Sequence, residues 1–299
     1  MVADRHGSLW LIIVETVVVA VEVLLQKLWM FRLPALQQIG LDGSYSDSDK
    51  CTKVCIITGP TSGIGKESAK EMWRRGWHVV LACRNEAKGK ELAKEFHSNI
   101  LKTKQAEKNI EVQVLDVSSL KSVRAFAMRW ETEVKLPVHV LINNAGIFSM
   151  SAPRQETEDG FESHIGTNYL GHFLLAELMR PWMIKAQREC HKPARIVNVS
   201  SKLHRMGRIC QGDPHLTSNK NFNSLAAYSQ SKLAQVMFAK ECNKKFDGVI
   251  RSISVHPGEV LTDVVRSLPS IIQKLYKLIM QIFLLTPSEG AAVVCDFCS

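Results

Sequence analysis

The chain has 299 residues, 45% of them hydrophobic and 22% charged. That composition belongs to a globular protein of one or two domains with a real core; it excludes a disordered tail, a collagen-like repeat and a disulfide-built mini-scaffold. Lysine and arginine total 38 against 29 acids, a net charge of +9 spread along the chain without a basic block, so a nucleic-acid partner is not expected, whereas a polyanionic cofactor or an anionic membrane suits the balance.

Residues 1–33 stand apart. From 9 to 25 the chain reads LWLIIVETVVVAVEVLL, about the length that crosses a bilayer with little tilt. Glu15 and Glu22 interrupt it seven residues apart, on one helical face. Each acid costs about 2–3 kcal/mol near the bilayer centre, and a dozen large apolar residues at about 0.3–0.6 kcal/mol each offset the two. A membrane anchor is expected; a helix packed on the domain or on a second copy is the alternative. Lys27 and Arg32 follow the segment, which places the body of the protein in the cytosol by the positive-inside bias. Residues 34–50, ending LDGSYSDSDK, read as a polar linker, and 51–299 as one domain, the last of the three parts.

From residue 53 the pattern alternates. Apolar, β-rich runs at 53–58, 78–83, 110–115, 138–143, 195–200 and 249–256 are separated by helical patterns at 64–75, 86–107, 119–134, 160–189 and 225–246. Continuous apolar strands joined by helices of ten or more residues mean a parallel sheet covered on both faces, a doubly wound α/β fold of the Rossmann kind. Cys55 and Cys83 fall inside strands and read as free buried thiols, which suits a reducing compartment. The pairs Cys51/Cys55 and Cys295/Cys298 have metal-like spacing, but one lies in a strand and the other ends the sequence, so no metal is expected. The sequon at Asn198 lies in a core strand with no room for a glycan.

The first strand runs into TGPTSGIGKES. Strand, glycine loop and helix start come in the order that cradles phosphate. A P-loop fails, because Pro60 stands at its first glycine and Glu67 at its Ser/Thr; the G-x-G-x-x-G spacing fails too. T-G-x-x-x-G-I-G fits in full: Gly59 for the turn, Gly63 for approach to a pyrophosphate, Gly65 for close helix–sheet packing. A glycine turn without a ligand is the plainer reading. At the end of the second strand Cys83 stands where an acid would hold a ribose 2′-hydroxyl, and Arg84 follows. A guanidinium binds a 2′-phosphate through a charge-assisted fork, so NADP(H) is favoured over NAD(H), with Lys66 adding to the field. A solvated turn arginine is the alternative.

Tyr228 and Lys232 lie four apart in a helical stretch, on one face and about 6 Å apart along the axis. A phenol with a pKa of about 10 is a poor base at neutral pH. An adjacent ammonium favours phenolate, and bringing the phenol from about 10 to about 7 takes roughly 4 kcal/mol of differential stabilisation. Ser201 ends the strand VNVSS, with a hydroxyl suited to hold a substrate oxygen. The Tyr/Lys spacing occurs by chance in many helices; its weight comes from the Ser-Ser strand end and the glycine loop in the same chain.

In this order, TGPTSGIG, the ACRN turn, Asp116-Val117, Asn143-Asn144-Ala145-Gly146, Asn168 in TNYLGHF, Ser201, Tyr228-x-x-x-Lys232 and His256-Pro257-Gly258 resemble the short-chain dehydrogenase/reductase family, in its retinol-dehydrogenase-like membrane branch, over about residues 50–290. The resemblance implies Tyr228 as general acid/base, Lys232 lowering its pKa and binding the nicotinamide ribose, Ser201 on the substrate oxygen with Ser200 facing away, and Asn168 supporting a helix kink and a water relay. It implies a cofactor site at Gly59, Ser62, Gly63, Ile64, Gly65, Arg84, Asn85, Asp116, Val117, Asn143, Ala145, Gly146, Tyr228, Lys232, Pro257 and Gly258, with Asp116 on the adenine. The implied reaction is hydride transfer between NADP(H) and an alcohol or carbonyl carbon. The apolar stretch 261–285 reads as a lid for a lipophilic substrate (a retinoid, steroid or isoprenoid), or else as a core helix or a surface for membrane or homodimer contact. The implied location is the endoplasmic reticulum membrane, catalytic domain to the cytosol. Only six strands are readable, whereas the family continues through a further edge strand. A cofactor-binding interaction protein of low catalytic power is therefore the alternative to an active enzyme.

Overall fold

The computed structural model describes residues 52–98, 110–148, 153–217, 222–258 and 285–298. The expected N-terminal helix and linker, and nearly all of the expected lid, lie outside them.

Six strands form one parallel sheet: β1 (Val54–Thr58), β2 (His78–Cys83), β3 (Ile110–Val114), β4 (Val140–Asn143), β5 (Ala194–Val199) and β6 (Ile250–Val255). Their spatial order is β3-β2-β1-β4-β5-β6, all neighbours parallel. The helices are α1 (Gly63–Arg74), α2 (Glu86–Ser98), α3 (Leu120–Arg129), the short α4 (Ser163–Ile165), α5 (Gly171–Cys190), α6 (Ser224–Lys245) and α7 (Pro287–Asp296). The doubly wound expectation holds, and among the described residues β6 is the last strand.

β1, β2, β4 and β5 each feed two cores because their side chains alternate across the sheet. Val54 and Ile56 of β1 enter one core with Phe126 of α3, Met179 of α5 and Cys242 of α6. Cys55 and Ile57 enter the other with Met72 of α1, Phe96 of α2 and Val294 of α7. Burial on both faces is why these four strands read as near-continuous apolar runs, whereas the edge strands β3 and β6 are only partly buried.

α7 is the one described helix of full length that the strand–helix pattern does not foretell. Thr286 caps it in a capping box with Glu289, with Pro287 at the first position. Arg75 fastens it by donating to the Cys295 carbonyl at 3.2 Å and pairing with Asp296 at 3.7 Å. The T-P-S-E string carries the signal for this start.

Cys55, Cys83, Cys242, Cys295 and Cys298 are free and buried. Burial pushes the Cys295 thiol up to about 12, so it stays unreactive. Cys190 differs: it is disulfide-bonded, which the expectation of free thiols does not cover. Asn198 is buried, with its amide donating to Ser252 Oγ at 3.2 Å.

Candidate functional site

The strand order reverses direction between β1 and β4, and there the carboxyl ends open a crevice. Gly59 leaves β1 with φ +63, and a Cβ on Gly65 would come within 2.3 Å of the Gly59 carbonyl oxygen. The first glycine supplies the turn and the second lets α1 start against it. Asn144 braces the loop from the far side, donating to the carbonyls of Thr58 at 3.0 Å and Gly59 at 3.2 Å. A Cβ on Gly63 would meet nothing within 4 Å, so the outer side of the loop is open. Ser62 is the N-cap of α1, yet its side chain makes no capping bond.

Thr58 is the hub beneath this loop. Its hydroxyl oxygen accepts from the amides of Asn144 at 3.0 Å and Ala145 at 2.9 Å. Two amides fill its lone pairs, so its proton goes to His172 Nε2, 2.9 Å away, rather than to the Ile142 carbonyl at 3.4 Å. That fixes the tautomer: His172 carries its proton on Nδ1 and donates to the Asn168 carbonyl at 3.2 Å. Burial holds His172 down at about 4, so it is neutral at pH 7.

Asn168 sits inside a π-helical turn, Gly166–Leu170, between α4 and α5. Its side-chain oxygen accepts from the Ile147 amide at 2.8 Å. Its amide group donates to the Ile147 carbonyl at 3.1 Å and to Ser231 Oγ at 3.0 Å. Ser231 in turn donates to the Tyr228 carbonyl at 2.7 Å. Gln235 Nε2 also donates to the Asn168 carbonyl, at 2.9 Å. The π turn is thereby locked to α6 and to the strand-end loop after β4.

Lys232 points inward and is buried. Its ammonium donates to the Val199 carbonyl at 2.8 Å and lies 5.5 Å from the centre of the Tyr228 ring. Burial lowers its pKa to about 8. The Tyr228 ring is flanked by Phe148, centroids 4.5 Å apart, and edge-on by His164 at 6.1 Å. Glu162 holds His164 in place through a 2.8 Å bond to Nδ1. Ser201 is the N-cap of a short 3₁₀ helix, Lys202–Met206; Ser200 turns away and donates to the Lys232 carbonyl at 3.0 Å, as the strand alternation predicts.

At the carboxyl end of β2, Arg84 is 80% exposed and lies 4.0 Å from the Asp116 carboxylate. Asp116 accepts from the Ser118 amide at 2.9 Å and its hydroxyl at 2.6 Å; Val117 beside it is buried. Cys83 does occupy the strand end, buried under Gly89, where a Cβ would meet its sulfur at 2.6 Å. Asn85 caps α2, accepting from the Lys88 amide at 3.0 Å. Lys66 is engaged by Glu95 at 2.7 Å, which largely neutralises the field it was expected to add.

Tyr228, Lys232, Asn168 and Gly146 come together: a Cβ on Gly146 would lie 3.2 Å from Asn168 Oδ1 and 3.7 Å from Lys232 Nζ. Asn143 does not join them by its side chain. It is fully buried and donates to Asn198 Oδ1 at 2.9 Å. Ala145 and Ile64 are half-buried and pack against the two cores, and Pro257-Gly258 leave β6 with Gly258 at φ +88. Sequence reading passes over Thr58, His172 and Ser231. His172 lies four residues from Asn168 and Ser231 three from Tyr228, so helical spacing carried a signal.

A reversal-point crevice with a phosphate-type glycine loop and a Tyr/Lys turn whose lysine is buried defines the class: a doubly wound α/β oxidoreductase. Residues 53–213 match the family model for short chain dehydrogenase. Human retinol dehydrogenase 11 is 42% identical over 80% of this chain and 70% of its own. Mouse retinol dehydrogenase 12 is 43% identical over 72% of this chain and 64% of its own. A crystal structure of a short-chain type dehydrogenase/reductase from Mycobacterium marinum superposes with a TM-score of 0.63 at 22% identity, covering 84% of this chain and 90% of that one. The chain belongs to the short-chain dehydrogenase/reductase family, in its retinol-dehydrogenase-like group.

Proposed function

We propose that the protein is an NADP(H)-dependent oxidoreductase that interconverts a lipophilic alcohol and its carbonyl, a retinoid or a similar isoprenoid or steroid. The observation that carries this is the Lys232 ammonium beside the Tyr228 ring, under the exposed Gly146. The residues fit a dinucleotide: the outer side of the glycine loop is open at Gly63, Ser62 leaves its hydroxyl uncommitted to the helix, and Arg84 extends into solvent at the strand end. When bound, the nicotinamide supplies or accepts the hydride.

Gly59, Ser62, Gly63, Ile64 and Gly65 would face the pyrophosphate, aided by the partial positive charge at the start of α1. Arg84 would bind the 2′-phosphate, with Asn85 beside it, and Asp116 and Val117 the adenine. Ala145, Gly146, Pro257 and Gly258 would line the nicotinamide end, with Asn143 holding the strand beneath. Tyr228 gives its hydroxyl proton to the substrate oxygen during reduction and takes it back during oxidation. Lys232, its pKa brought down to about 8 by burial and so mostly protonated at pH 7, stabilises the phenolate between turnovers. Ser201 orients the substrate oxygen, and Asn168 keeps the π turn and the Tyr228 backbone in register.

The retinol dehydrogenases among the relatives support a lipophilic substrate and a membrane location for this chain, and the sequence of residues 9–25 supports an anchor. No helix among the described residues is long and apolar enough to cross a membrane. The direct test is a panel of lipophilic aldehydes and ketones with NADPH or NADH. The reading expects retinal to be reduced with NADPH; cofactor binding with no turnover across the panel would contradict it.

A further inference from the structure

The segment that follows Ser201 presents a surface that the hydride-transfer chemistry does not use. Beyond the 3₁₀ helix the chain runs on to Cys210 with Met206 55% exposed and Ile209 37% exposed. Arg205 and Arg208 alternate with them and are exposed too. Residues 201–212, SKLHRMGRICQG, hold three Lys/Arg and no acid, and neither arginine pairs with a described acid.

This exposure is built in. Gln230, buried on α6, accepts from the Cys210 amide at 3.2 Å and donates to the Pro214 carbonyl at 2.8 Å. Gly207 lies so close to α6 that a Cβ would meet the Ser229 carbonyl oxygen at 2.4 Å. The loop is pinned at its middle and its far end, so Met206 and Ile209 are held out in water. The apolar surface continues inward: Ile209 and the 49% exposed Met237 line a cavity of ≈ 340 Å³ with Phe161, Tyr169 and Pro214.

We propose that residues 202–210 form a docking surface for an anionic lipid bilayer, with Met206 and Ile209 entering the headgroup–acyl boundary and Arg205 and Arg208 meeting lipid phosphates and carboxylates. Apolar tips interleaved with cations and free of acids are the composition of an interfacial element. A nucleic acid would draw on the arginines and leave the apolar tips wet. Docking here turns the Ser201 end of the crevice towards the bilayer, where a lipophilic alcohol resides. The surface does not rest on the proposed reaction, and its test needs neither cofactor nor substrate.

Cys210 is exposed, whereas the other free cysteines among the described residues are buried. A solvatochromic fluorophore on Cys210 of the full chain, its placement checked by loss of labelling in Cys210→Ser, reports this loop, whatever else in the chain binds lipid. Phosphatidylcholine vesicles with about 30% phosphatidylserine should shift its emission to the blue, and high salt should reverse the shift. Arg205→Glu with Arg208→Glu should weaken the vesicle dependence by about tenfold or more; Met206→Ser with Ile209→Ser should abolish the shift. Unaltered emission while the protein sediments with the vesicles would overturn the proposal. So would an equal shift with pure phosphatidylcholine, or a shift with a duplex oligonucleotide and none with vesicles.

Discussion

Asn168 donates from Nδ2 to Ser231 Oγ at 3.0 Å, and through Ser231 reaches the carbonyl of Tyr228 at 2.7 Å. Two side chains thus join a π turn to the helical turn that carries both proposed proton-handling groups. Ser231→Ala removes the link with little change in volume and leaves a buried donor with one acceptor fewer. The expected cost is about 1–3 kcal/mol of stability, with kcat falling about tenfold and NADPH affinity nearly unchanged. Denaturant unfolding and steady-state kinetics on the same sample check this; equal loss of affinity and kcat would place Ser231 in cofactor binding instead.

His172 wires Thr58 to Asn168 as a neutral imidazole. Its pKa of about 4, against about 6.5 when unfolded, means that the unfolded chain binds a proton that the native chain refuses between those values. Stability is complete above pH 6.5 and declines as pH falls to about 4. Each such histidine contributes up to about 3 kcal/mol to that decline. His139, also near 4 through burial, acts with the same sign. Melting temperatures measured from pH 7 to 4 should drop steeply, and His172→Leu should flatten the slope while lowering stability at pH 7.

In the proposed reading Arg84 sets cofactor choice. Arg84→Ala removes a charge-assisted fork, worth about 1.5–3 kcal/mol, and should raise the NADPH dissociation constant by about ten- to a hundredfold while leaving NADH nearly unaffected. Fluorescence titration of both cofactors tests it. Equal wild-type affinity for the two would remove the argument.

Thr286 starts α7 with a capping box. Thr286→Ala should lower stability by about 0.5–2 kcal/mol without moving kcat, because α7 packs with α1 in one core whereas α6, which carries Tyr228, packs in the other. A thermal melt alongside an activity assay reads both.

The sheet is legible because its four central strands are buried on both faces and the crossover helices are long; β2 matches its expected bounds residue for residue. The glycine loop and the Tyr/Lys turn were legible because their spacing is local. The Thr58–His172–Asn168 wiring was not, since it joins residues more than a hundred positions apart through a hydroxyl and a ring whose partners only the packed fold selects. Nor is the direction of the Asn143 side chain, which turns to Asn198: strand alternation alone cannot tell which side of a strand end meets the crevice. The Lys66–Glu95 pair is likewise invisible to a local reading, because Glu95 stands on the next helix.

In the proposed reaction the Tyr228 hydroxyl moves the proton while Lys232 tunes it. Tyr228→Phe keeps the ring between Phe148 and His164 and removes only the oxygen. Retinal reduction by this variant, followed as NADPH oxidation, should fall by a factor of about a thousand or more, with NADPH binding within about twofold of wild type. Turnover equal to wild type in a variant that still binds NADPH would contradict the account.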